Sequence, residues 1–305
     1  MPSATPSHLE LIPCNLCGRD DFSVRFNSPP RVDEDDVADF MASTDRFDRY
    51  GRIVRCRGCG LVYTNPRPVR SQLNDGYART EDHDYASESS SRSINAHLSL
   101  RTIQRFVERG RLLDVGCATG YFLNAARLSF EPYGVEPSRW AAQYARDKLG
   151  LNVRQGSLEE ADFPAGSFDV ITLNDVIEHL TDPRGSLTQL HRLLRPQGLL
   201  YIVTPNIDGL SARLLRGSWW GLRPAHLYYF STRTLAEMLT QVGFEPVFKR
   251  SYGRIFTYAY WASRLKSYPR PVSATVSAFV RRLGFEDKPL YLDTRDTVEM
   301  CAMRR

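Results

Sequence analysis

Leu112-Leu113-Asp114-Val115-Gly116-Cys117-Ala118-Thr119-Gly120-Tyr121-Phe122 begins as a short apolar run, ends that run on an acidic residue, and crosses a small-residue turn into a helical pattern. The glycines at 116 and 120 have three residues between them, so the turn lacks the G-x-G-x-x-G spacing of a dinucleotide fold. Small residues at 116, 118 and 120 still let the backbone approach a ligand closely, and the helix start can receive a carboxylate. Twenty-two residues after Asp114 a second apolar run ends at Glu136. A carboxylate at that strand tip is placed to accept both hydroxyls of a ribose.

Working outward, the runs RLLDVG, PYGVEP, FDVITL and GLLYIVTP alternate with helical patterns across residues 109–250. Strands alternating with helices predict an α/β, doubly wound parallel sheet of Rossmann-like type. Three segments flank it. Residues 1–68 carry four of the six cysteines and an acidic loop, Asp33 to Asp36. Residues 69–108 form a helical linker whose apolar positions are Ile94, Leu98, Ile103, Phe106 and Val107. Residues 251–305 hold an aromatic, basic helical insertion and a final strand, DTVEMCAM, expected to complete the sheet.

Composition sets the outer bounds. The 305 residues are 25% charged and 42% hydrophobic, an ordinary globular balance. No run approaches the roughly 20 apolar residues of a membrane span, and the first residues lack a signal-peptide pattern, so the expected address is the cytoplasm. The net charge of +5 invites a nucleic-acid partner until it is located. Residues 1–60 hold 8 basic and 10 acidic side chains, whereas residues 250–305 hold 11 and 5.

The cysteines form two C-x2-C pairs, Cys14/Cys17 and Cys56/Cys59, each followed by glycine. Two such knuckles supply the four sulfurs of a closed structural Zn2+ site. A redox pair or four unrelated thiols are the rival readings. Four thiolates make the ribbon more acidic still, which argues against a grip on phosphate. Cys117 and Cys301 read as small buried packing residues.

From Asp114 to Glu136 the chain resembles the class I S-adenosylmethionine-dependent methyltransferases, and the resemblance extends over residues 109 to about 250. It implies that Asp114 and the span Gly116 to Gly120, Cys117 and Ala118 included, surround the methionine portion of the cofactor, with Glu136 on the ribose and Phe122 also at the cofactor. Ser157 and Leu158 match the adenine-side stretch, although many relatives carry Asp at the position of Ser157. Asn174 falls in the block Phe168 to Leu180, which matches the family's fourth strand and its loop. The leader, Cys56 to Pro68, is similar to the zinc-binding segment before many bacterial polysaccharide and natural-product methyltransferases. The implied acceptor is therefore a small molecule: a sugar nucleotide, a glycan or a natural-product scaffold.

Methyl transfer to oxygen or carbon also needs a base. His8, His83, His97 and His191 sit in polar or ordinary helical contexts. His226 lies in a loop after the fifth strand and is similar to the E-H-x-x-Y-F stretch of sugar C-methyltransferases, with Ala225 in place of the acidic residue. Either a base or a buried structural histidine fits. In ubiquinone-pathway relatives the loop matching Asp175, Glu178 and His179 is linked to a divalent metal, and here it either binds one or braces the loop. Trp219, Trp220, Tyr228 and Tyr229 are expected to line a pocket or fill the core. Two rival functions stand beside small-molecule methylation: an RNA methyltransferase gripping through its ribbon, and a non-catalytic interaction protein on this fold.

Overall fold

The computed structural model describes residues 9–28, 37–44, 50–267 and 270–305. His8 and the acidic stretch Asp33 to Asp36 lie outside the described residues.

Seven strands form the central sheet: β1 Gly110–Val115, β2 Phe130–Glu136, β3 Asn152–Gln155, β4 Phe168–Asn174, β5 Leu194–Pro205, β6 Phe244–Ser251 and β7 Thr297–Arg304. Their order is β6-β7-β5-β4-β1-β2-β3. Strands β1 to β5 run parallel, and β7 runs antiparallel between β5 and β6. The final strand thus completes the sheet from within, buried along Thr297 to Ala302. β3 and β6, at the two edges, lack the continuous apolar runs of the inner strands. Their one-sided burial leaves alternating or polar sequences that read weakly.

Strand order reverses between β1 and β4, which opens a crevice beyond their carboxyl ends. Local chemistry aims the flanking helices at that edge. Ser138 caps the helix Arg139–Leu149 by accepting from the Ala141 amide at 3.1 Å, and Gly150 ends it at φ 61°. Asp182 caps Pro183–Leu193, with proline in the first turn and Leu187, Leu190 and Leu193 buried on one face. In the linker the helix Ser89–Ile103 forms, but Ile94 and Phe106 are solvent-exposed. No helix among the described residues is long and apolar enough to cross a membrane.

A second, antiparallel sheet joins Phe22–Phe26, Ile53–Cys56, Val62–Thr64 and Tyr228–Tyr229. Its last strand comes from the loop after β5, so the N-terminal unit is stitched to the crevice. Leu16, Val54, Leu61 and Tyr63 share one apolar cluster with Leu173, Ile177, Leu227 and Phe230. Burying each such side chain contributes roughly 1.5–3 kcal/mol, so the unit is welded to the sheet.

The two knuckles close as their glycines predict. Gly18 and Gly60 adopt φ 73° and 79°, and their amides donate to the Cys14 and Cys56 carbonyls. The Cys14 and Cys59 sulfurs are 3.5 Å apart, as are those of Cys17 and Cys56, and all four lie within 4.8 Å. Tetrahedral Zn–S bonds of about 2.3 Å place sulfurs about 3.8 Å apart, so the cluster has the dimensions for one ion.

Candidate active site

One cavity of about 990 Å3 occupies the crevice. Gly116, Ala118, Phe122, Glu136, Ser157, Leu158 and Asn174 line one side of it. Asp114, Cys117 and Gly120 stand behind that wall. Cys117 lies beneath the turn, where a Cβ on Gly134 would come within 2.6 Å of its sulfur. A Cβ on Gly120 would meet Leu151 at 2.5 Å. Gly116 has φ 70°, and a side chain there would run into Val176 at 2.6 Å. Ala118 holds φ 47°, a left-handed conformation that favours glycine.

The acidic residues shape the turn. Glu136 accepts the Ala118 amide with one oxygen and the Ser138 amide with the other, both at 2.8 Å. Asp114 accepts from Thr172 at 2.6 Å and from Asn174 at 3.2 Å. Burial raises both carboxyls to about 7, against which these hydrogen bonds act. Two buried carboxylates beside a cavity favour a positively charged ligand, whose charge would hold them ionised. The Thr119 hydroxyl, in the same turn, is buried without a partner. Cavity dimensions, anionic wall and orphan hydroxyl suit a sulfonium nucleoside with an amino-acid tail.

On the opposite side, His226 is 3% exposed and also lines the cavity. Its Nδ1 lies 2.8 Å from the Gly221 carbonyl, which can only accept, so Nδ1 carries the proton and Nε2 keeps a lone pair. His179 packs edge-on against it, ring centres 4.6 Å apart. The His179 Nδ1 lies 2.8 Å from the Tyr77 hydroxyl and 3.0 Å from the Ala225 carbonyl. Burial lowers His179 to about 4, and burial with the neighbouring His179 lowers His226 well below its usual value. Both rings are therefore neutral near pH 7.

Glu178 completes the group. It accepts from Thr204 at 2.9 Å, its other oxygen is buried without a partner, and burial raises its carboxyl to about 8. Glu178, His179 and His226 bring ligand-type atoms within 4.8 Å of one another. Asp175 does not join them: it pairs with Arg254 at 2.6 Å. His226 thus supplies the third member of the cluster, beside the adjacent pair Glu178 and His179.

The tryptophan–tyrosine loop divides. Trp220 lines the cavity, whereas Trp219, Tyr228 and Tyr229 are core residues. Both indoles donate to the buried Asp296, at 2.7 and 2.6 Å. His83, His97 and His191 lie away from the cavity wall, His83 against Trp140 and His191 against Phe244. Thr119 belongs to the glycine turn, whereas Tyr77 and Arg254 lie in no motif; they reach the cavity from a linker helix and the C-terminal hairpin.

A sequence profile of the methyltransferase domain matches residues 88–248. A Mycolicibacterium smegmatis protein named "Probable S-adenosylmethionine-dependent methyltransferase" is 31% identical over 147 residues, 47% of this chain and 56% of that one. The ubiquinone biosynthesis O-methyltransferase of Cereibacter sphaeroides is 30% identical over 185 residues, 56% of this chain and 74% of its own. Among solved structures, the complex of the Haloferax volcanii Trm112 methyltransferase activator with a methyltransferase shares the fold at TM-score 0.54 and 19% identity, covering 77% of this chain and 98% of that chain. A methyltransferase profile spanning over half of the residues, on a sheet of this order, leaves one conclusion: the chain belongs to the methyltransferase-domain family and is an S-adenosylmethionine-dependent methyltransferase.

Proposed function

We propose that the protein methylates an oxygen or carbon of a small-molecule acceptor, a glycan, sugar derivative or natural-product scaffold, with His226 as the base. The carrying observation is a single cavity that joins the glycine turn to His226, whose Nδ1 is tied to a carbonyl and whose Nε2 keeps its lone pair. Gly116, Ala118 and Phe122 would flank the methionine portion of S-adenosylmethionine, Glu136 the ribose, and Ser157 and Leu158 the adenine. Asp114 holds Asn174 in place from behind, and Cys117 and Gly120 set the shape of the turn.

Bound there, the cofactor supplies an electrophilic methyl group and loses one positive charge as it is transferred. His226 can then take the acceptor's proton without raising the charge enclosed by the cavity, which offsets the burial that weakens it as a base. Arg223 and Arg264 tie down Met41 to Thr44 through main-chain carbonyls and so shield the cavity from water.

We assign one Zn2+ to Cys14, Cys17, Cys56 and Cys59. Burial opposes ionisation of Cys14 and Cys59, so four thiolates together require a cation. With no open position, the ion would act structurally. The N-terminal unit is packed against the His226 loop, which supports an internal role for it over a grip on nucleic acid. The test supplies radiolabelled S-adenosylmethionine and a small-molecule extract of the host cells. Wild type should label an acceptor, and His226→Gln should bind S-adenosylhomocysteine normally yet label at least a hundredfold more slowly. Equal labelling by His226→Gln would remove it as the base.

A further inference from the structure

The cavity does not end at His226. It continues into the C-terminal lobe, built from the hairpin Arg254–Thr257 and Pro289–Leu292 and the helices Tyr258–Ser263 and Arg270–Arg282. There its wall is apolar: Tyr260, Trp261, Leu265, Val276, Phe279 and Leu292. The polar edge of Trp261 is used up, since its Nε1 donates to the Leu290 carbonyl at 3.1 Å. Tyr260 stacks on Phe256 with ring centres 3.9 Å apart, which stiffens the inner part of this wall. At the outer end Phe279 is 62% exposed and Leu292 38%, although both line the cavity. Exposed Leu283 and Tyr291 are their sequence neighbours in the same lobe. The cavity thus opens to solvent through an apolar mouth, a costly arrangement for a surface that binds nothing.

The arginines of the cavity give a complementary constraint. Arg254 is paired with Asp175, Arg70 with Glu159 at 2.7 Å, Arg92 bonds the Tyr85 carbonyl and lies 3.6 Å from Glu88, and Arg223 and Arg264 bond main-chain carbonyls. Their donors are engaged in holding the walls, which disfavours a diphosphate head.

We propose that the acceptor is an amphiphile. Its reactive polar head lies between the cofactor and His226, and its hydrocarbon tail runs through the C-terminal lobe and leaves between Phe279 and Leu292. This rests on the methyltransferase reading of the cavity and narrows its acceptor class to molecules with an apolar arm.

The test titrates n-alkyl β-D-glucosides, from butyl to octyl and below their micellar concentrations, into protein saturated with S-adenosylhomocysteine. Affinity should rise about fourfold per methylene while the tail is being buried. Phe279→Asp and Leu292→Asp, both at exposed positions, should flatten that slope and leave S-adenosylhomocysteine affinity unchanged. A chain-length series that is flat in wild type, or a slope that survives both substitutions, would overturn the proposal. The S-adenosylhomocysteine titration is run first on the same samples. Its failure would contradict the methyltransferase reading, whereas cofactor binding with a flat series would contradict the amphiphile alone.

Discussion

Thr64 donates its hydroxyl to the main-chain carbonyl of His226 across 3.1 Å, and its amide donates to the Leu227 carbonyl at 2.8 Å. Thr64 closes the strand that follows the second cysteine knuckle, and that strand pairs with Tyr228–Tyr229 just after His226, so one sheet links the cysteine cluster to the loop of the proposed base. Further ties reinforce the link. Arg233 donates to the Cys59 carbonyl, and Asn15 bonds both Asp182 and the Arg184 amide.

Metal loss should therefore disable transfer while sparing the cofactor site. Chelation, or Cys56→Ser, should lower methyl transfer at least tenfold and change S-adenosylhomocysteine affinity much less. Metal analysis of the purified protein should return one zinc per chain. Thr64→Val should lower stability by about 1 kcal/mol in denaturant melts, the ordinary worth of a buried hydrogen bond.

Asp296 holds the loop from the other side. It accepts both indole N–H groups and the hydroxyls of Ser211 and Thr294. Asp296→Ala should cost about 3 kcal/mol, because four hydrogen bonds are lost and the buried Trp219 indole donor is left unpaired. Tryptophan fluorescence during urea unfolding would measure the loss and report the loosened loop.

Cofactor affinity should depend on pH through Glu136. Its carboxyl sits at about 7 because burial disfavours its charge. A ribose hydroxyl donates to the ionised form, so binding favours deprotonation. The dissociation constant should be flat above pH 8 and weaken up to tenfold per unit below pH 7. Calorimetry across pH 5.5 to 8.5 checks this, and a constant affinity would count against Glu136 as the ribose ligand.

Stability of the cofactor-free protein should change in the same window with the opposite sense. Glu178 is raised to about 8 and Asp114 and Glu136 to about 7, by burial first in each case. Folded values above unfolded ones near 4 give stability that is fully present below pH 4 and is lost as pH rises toward 8. Other carboxylates act oppositely at the acid end, so the comparison to make is Glu178→Gln against wild type. The variant should lose less thermal stability between pH 6 and 8.

The fold was legible because its inner strands are continuous apolar runs: RLLDVG and GLLYIVTP stand out from their surroundings. The edge strands β3 and β6 were not, since most of each faces water. The same division holds at the site. Asp114, Glu136 and the cysteine pairs are local patterns, fixed by spacing along the chain. Arg254 reaches Asp175 across 79 residues, and Tyr77 reaches His179 across 102. Tertiary packing alone assembles such pairs. Trp219, Tyr228 and Tyr229 suit either a pocket or the core in sequence, because an aromatic-rich loop serves both purposes, and packing puts them in the core.

The most direct test of the central claim is a calorimetric titration of S-adenosylhomocysteine into the wild-type protein and Glu136→Ala. The cavity predicts one site per wild-type chain and affinity at least tenfold weaker in the variant. No binding to wild type, or equal affinities for the two proteins, would contradict it.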